Sequence, residues 1–144
     1  MLIDHELQCT AWGHEQKRIR DRTQNEGEFI RDLADWSWFG TITSRYGKIS
    51  EKAAKKFLAE IEAAAGYPVH SVLAIEHGDS GGHLHGHFLI SSVGHLDMAA
   101  WQRRANARFG NSVFRTYDKD QGAAFYIAQT GCSRTVRITY DGKA

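Results

Sequence analysis

EHGDSGGHLHGHFLI, residues 76–90, is the stretch on which the reading of the whole chain turns. Four of the eight histidines fall in it, at 77, 83, 85 and 87, and the last three alternate. On a β-strand successive side chains point to opposite faces, so His83, His85 and His87 share one face while Leu84, Phe88 and Ile90 share the other. The apolar row requires a helical layer, and the imidazoles are then expected to face away from the core. Turn residues Gly78, Asp79, Ser80, Gly81 and Gly82 come just before, and Val69 to Glu76 forms an earlier β-like run, so the segment reads as a hairpin. Pairing across it brings Glu76 near the start of the histidine strand. Two imidazoles and one carboxylate on adjacent strands, with positions left for water or phosphate, suit Mn²⁺, Mg²⁺ or an open zinc site rather than a closed structural zinc. A lone histidine on a half-exposed strand is usually just a surface polar residue; three on one face point to a metal.

Working outward, WSWFGTITS (Trp36 to Ser44) is aromatic and β-branched and alternates, as a strand does. Ser50 can cap a helix whose apolar stripe is Ala53, Ala54, Phe57, Leu58, Ile61 and Ala64, and Gly66 stops it. Beyond the hairpin, Asp97 opens a helix to about Phe109 that turns Arg103, Arg104 and Arg108 outward. Asn111 to Tyr117 reads as a strand, Asp120 to Gln129 as a short helix ended by Gly131, and Thr135 to Tyr140 as a last strand. On the N-terminal side, KRIRDR holds Lys17, Arg18, Arg20 and Arg22, read equally as a solvated face and as an arm for a phosphate backbone. Thr23 with Glu26 fits a capping box for a short helix to about Asp35, leaving residues 1–26 as an N-terminal arm or helix. The order β-α-β-β-α-β-α-β after that helix is an α+β, ferredoxin-like (RRM-like) split βαβ arrangement. It predicts a central antiparallel sheet of about five strands with its helices on one face.

A chain of 144 residues, 42% of them hydrophobic, can bury one good core, so residues 1–144 are read as a single domain. The net charge of +1 leaves nucleic-acid binding to local patches. Cys9 and Cys132 form no disulfide or metal pattern, no apolar run approaches a membrane span, and a soluble cytoplasmic protein with no membrane partner is expected.

In the last helix Ala124, Ile127 and Ala128 lie on one side, and Tyr126 and Gln129, three apart, lie together on the other. Beside a metal that polarises a phosphodiester, a phenol so placed can be a nucleophile that forms a phosphotyrosyl intermediate.

From Trp38 to Thr130 the chain resembles the HUH endonucleases of rolling-circle replication initiators (Rep proteins). FGTITS (Phe39 to Ser44) resembles the family's first motif. HLH (His83 to His85) resembles its His-hydrophobic-His metal motif, with Glu76 matching the acidic third ligand. GAAFYIAQ (Gly122 to Gln129) resembles the helix bearing the nucleophilic tyrosine. The resemblance implies a metal-dependent, site-specific nicking and joining enzyme on single-stranded DNA, acting at an origin or hairpin of a plasmid or phage. It implies Tyr126 and Gln129 as catalytic residues, Glu76, His83 and His85 as metal ligands, and Mn²⁺ or Mg²⁺ as cofactor. The sequence departs from the family twice. The position three after the tyrosine, normally lysine, is Gln129, which in the related single-tyrosine transposases assists the metal. His85-Gly86-His87 is a second possible pair, but Leu84 supplies the bulky spacer the motif prefers. A single-tyrosine transposase and a non-catalytic ferredoxin-like nucleic-acid-binding domain are the competing readings, the latter lacking any covalent step.

Overall fold

The computed structural model describes residues 2–44, 50–76, 85–133 and 137–142, with side chains for residues 14–18, 20–44, 50–75 and 85–128. The elements are α1 (Leu2–Leu33), β1 (Trp36–Ser44), α2 (Glu51–Ala65), β2 (His70–Glu76), β3 (His85–Ser91), α3 (Met98–Phe109), β4 (Gly110–Thr116), α4 (Ala123–Ser133) and β5 (Arg137–Gly142). The sheet runs β4-β1-β3-β2-β5 with every neighbouring pair antiparallel. β3 is inserted between β1 and β2, and β1 between β3 and β4. This is the expected α+β, ferredoxin-like double split, with β5 added beside β2.

Local chemistry fixes most boundaries. Ser50 Oγ accepts the Ala53 N–H at 3.0 Å and starts α2, and Gly66, at φ 84°, ends it in the left-handed conformation glycine adopts without strain. Asp97 Oδ1 accepts the Ala100 N–H at 3.1 Å and starts α3. β4 is an edge strand, and α3 blunts it: Asn106 Oδ1 accepts the Ser112 N–H at 2.6 Å and Gln102 Oε1 the Phe114 N–H at 2.9 Å.

Helices α2 and α3 cover one face. Trp38 and Ile42 of β1, Leu73 and Ile75 of β2, and Phe88 and Ile90 of β3 are buried there against Phe57, Ile61, Trp101 and Ala105. Phe88 lies across Gly40, where a Cβ would stand 2.9 Å from Cε2, so the strand needs a residue without a side chain at that point. Phe88 and Ile90 thus occupy the apolar face expected of them; Leu84 and the turn Gly78 to Gly82 lie outside the described residues.

The expectation of helices on one face holds only for α2 and α3. A second core forms on the opposite face from Val72, Ala74, Leu89 and Trp36, covered by Ile30 of α1 and by Ala123, Ala124, Ile127 and Ala128 of α4. The cause is topological: β4 and β5 are opposite edges of the sheet, and α4 makes the crossing over the face that α2 and α3 leave bare.

Two boundaries also differ from expectation. Thr23 lies inside α1, because residues 2–22 hold many strong helix formers and no proline, so the ladder runs through the supposed cap. The last helix is split: a 3₁₀ turn over Lys119–Gln121 is capped by Asp118, Gly122 takes φ 75°, and α4 then runs through Gly131. Among the described residues, no helix is long and apolar enough to cross a membrane.

Candidate active site

Because β1 alternates, the strand that sends Trp38 and Ile42 into the core turns Phe39, Thr41 and Thr43 to the other face. Register sets Thr41 opposite His87 and Thr43 opposite His85. Each pair is joined through a hydrogen bond, Thr41 Oγ1 to His87 Nδ1 at 3.1 Å and Thr43 Oγ1 to His85 Nδ1 at 2.9 Å. The two imidazoles lie nearly parallel, 6.2 Å apart at their centroids and 21° between planes, and Phe39 stacks with His87 at 6.3 Å. Side-chain hydrogen bonds of this kind contribute about 1 kcal/mol each, so their main effect is to fix ring orientation.

Helix α4 brings the tyrosine over this floor. Ala124, Ile127 and Ala128 are buried, whereas Tyr126 is 47% exposed and meets His87 edge to face, centroids 5.0 Å apart at 88°. The Tyr126 N–H donates to Gly122 O at 3.0 Å, so the left-handed turn at Gly122 anchors the first turn of the helix that carries the phenol. His87 is only 5% exposed. The imidazole face is therefore reached through a cleft of about 610 Å³ between α4 and β4, and not across an open sheet. His85, His87, Thr41, Thr43 and Tyr126 line it, with Val113 and Arg115 of β4 on the far wall and Asp118, Gln121 and Ala123 near the start of α4.

The residues expected at the site are brought together in part. His85 and Tyr126 share the cleft. His83 lies outside the described residues, as do the side chains of Glu76 and Gln129. Residue 76 is the register partner of residue 85 on the neighbouring strand, and residue 129 is in α4, three positions beyond Tyr126. Among the described residues, the histidines that line the cleft are His85 and His87. Among the described residues, no three His, Cys, Asp or Glu side chains gather in one place. The threonines were legible only as part of a strand, and the signal for their role is the alternation Thr41-Ile42-Thr43 itself. Val113 and Arg115 carried no signal apart from their parity on a strand.

The two imidazoles each have a nitrogen that could ligate a divalent ion. Where Nδ1–H donates to the threonine hydroxyl, Nε2 is the lone-pair nitrogen of that ring, and an outer partner on the other nitrogen is the usual arrangement of histidine ligands.

A second hollow of about 530 Å³ lies beside Arg31, Asp32, Trp36, Tyr117 and Lys119. Arg31 is engaged there, its Nε donating to Asp32 Oδ1 at 2.9 Å, and this bond holds the Asp32 carboxyl below its ordinary range. Burial pushes the Tyr117 phenol up, against the opposing pull of Arg31. Comparison of the chain with family models, with curated proteins and with solved structures finds no match.

Proposed function

We propose that this chain is a metal-dependent endonuclease of the HUH type on single-stranded DNA, a Rep-like nickase of rolling-circle replication. The observation that carries the reading is the seat of Tyr126, half exposed at the cleft and edge-on to His87, whose neighbour His85 shares the floor and whose ring is fixed by a threonine. In this reading His85 is a ligand with His83 or His87, its neighbours at period two, as the second imidazole, and Glu76 on the adjacent strand is the third ligand.

A bound Mn²⁺ or Mg²⁺ would supply Lewis acidity, polarising a phosphodiester oxygen. Thr41 and Thr43 orient the imidazoles. Tyr126 gives up its phenol proton and its oxygen bonds to phosphorus as the bond from phosphorus to the 3′-oxygen breaks; the 3′-oxygen takes up one proton in exchange, and the 5′ end stays on the enzyme as a phosphotyrosyl ester. Gln129 remains in the proposal as a neutral catalytic group beyond Tyr126. Its identity also favours a single-tyrosine transposase, which shares the chemistry and differs in joining the cut end to a new strand.

The test is a cleavage gel with labelled single-stranded DNA and Mn²⁺, read for a covalent protein–DNA adduct. Tyr126→Phe removes one oxygen from a half-exposed ring and is expected to eliminate both nick and adduct with little change in melting temperature. Tyr117→Phe and Tyr140→Phe keep the adduct. An adduct that persists in Tyr126→Phe refutes the nucleophile, and cleavage without any adduct refutes the covalent reading.

A further inference from the structure

The half of the cleft away from α4 takes no part in the reaction as proposed. It is built on β4, which among the described strands pairs with β1 alone. There Val113 stands opposite Thr41 and is 48% exposed, and Arg115 stands opposite Phe39 and is also exposed. Among the described residues that line the cleft, Arg115 is the one lysine or arginine.

Several other cations described in the structure are engaged, and none of them lines the cleft. Arg18 pairs with Glu15, Arg31 with Asp32, Lys55 with Glu51 and Arg108 with Glu60, and Arg104 lies over the Trp101 ring. No ion pair, hydrogen bond or ring contact holds Arg115 among the described residues. The carboxylate that shares the cleft, Asp118, is occupied at Oδ1 by the N–H of Asp120 at 3.0 Å. A guanidinium presents forked donors that match two oxygens of one phosphate. Along the same wall, Val113 and Phe39 offer an apolar surface on which a base can rest.

We propose that Arg115 grips a backbone phosphate of the single strand next to the one Tyr126 attacks, with the strand running along β4 and β1 and its base against Val113 and Phe39. The inference rests on the single-stranded DNA reading above. It adds a binding residue that no motif marks, and it makes the β4 wall the part of the site that holds the strand.

The experiment measures anisotropy of a fluorescent single-stranded oligonucleotide with the full chain in EDTA, so that no cleavage occurs, across a series of potassium chloride concentrations. Arg115→Gln is expected to weaken binding roughly tenfold at low salt, as loss of a charge-assisted contact does. It is also expected to flatten the slope of log affinity against log salt by about 0.7, the value for one phosphate contact on a single strand. Arg115→Lys keeps the slope with reduced affinity. Arg103→Gln, on α3 across the sheet, leaves affinity and slope unchanged. If Arg115→Gln does not fold, Arg115→Met, which keeps an unbranched apolar stem, gives the same comparison. Wild-type affinity and slope in a folded neutral variant overturn the Arg115 assignment alone, provided the unaltered chain binds DNA and forms the Tyr126 adduct. An unaltered chain that binds no single-stranded DNA overturns the parent reading together with this one.

Discussion

Gly27→Ala tests how α1 seats the tyrosine helix, from a position outside the cleft. Gly27 is buried in α1, and a Cβ built on it would stand 2.8 Å from Cγ of Phe125 and 2.7 Å from Cε1, well inside the 3.4 Å at which ordinary contact begins. Cγ is the root of the ring, so rotation of the ring does not clear it. Arg31, one turn further along α1, lies over the same ring at 5.8 Å. Two effects oppose each other. Alanine is better than glycine in a helix interior by about 1 kcal/mol, whereas overpacking a fitted contact costs roughly 1 to 3 kcal/mol. The clash wins by about 1 kcal/mol, which for a domain of this size lowers the melting temperature by about 3 °C. The larger effect is expected on the chemistry. Phe125 adjoins Tyr126, and a shift on the order of 1 Å at a reacting group can cost about a hundredfold in rate. Thermal melting and the rate of adduct formation are measured on Gly27→Ala and on the double variant with Phe125→Leu, which removes the ring from the collision. A melting temperature that rises in Gly27→Ala with an unchanged adduct rate would refute the argument, because helix propensity would then have outweighed a contact too soft to matter.

Thr43→Val and Thr41→Val delete the hydroxyls bonded to His85 and His87 while keeping side-chain shape. Loss of such outer partners typically lowers metal affinity by about 10- to 100-fold, and calorimetric titration with Mn²⁺ should show it; unaltered affinity in both would remove the threonines from the site. Tyr117, raised by burial, gives the pH dependence. The folded chain holds the phenol proton more tightly than the unfolded chain, so this stabilisation is complete below the ordinary phenol value of about 10 and is lost as pH rises from there through the higher value of the folded chain. Melting curves from about pH 9 to 11 should therefore fall more steeply for the unaltered chain than for Tyr117→Phe, and parallel curves would contradict the sign.

Much of the fold was legible because local chemistry and periodicity agreed. The strand limits Trp36 and Ser44, the caps Ser50 and Asp97 and the stop at Gly66 all coincide with the structure, each resting on a side chain acting within a few residues. What stayed hidden was set over longer distances. The second helical layer had a signal in SVLAIE, where Val72 and Ala74 are as apolar as Leu73 and Ile75; a strand apolar on both faces is covered on both. The capping pattern at Thr23 misled because it is a local motif inside a helix continued by its neighbours.

At the site, alternation placed His85 and His87 on a shared face but left the choice of pair open. Three histidines at period two offer two registers of equal parity, and His83 lies outside the described residues. β1 sets hydroxyls opposite His87 and His85. The same strand is constrained on its other side, where Gly40 admits the Phe88 ring that adjoins His87 in sequence. The residues from Gly40 to Thr43 therefore serve core and site at once: the absence of a side chain at 40 lets β3 settle, and the hydroxyls at 41 and 43 orient what β3 presents. Tyr126 arrives from a different cause, the need for the chain to cross from β4 at one edge to β5 at the other, and it meets His87 because that crossing passes over the one sheet face left uncovered.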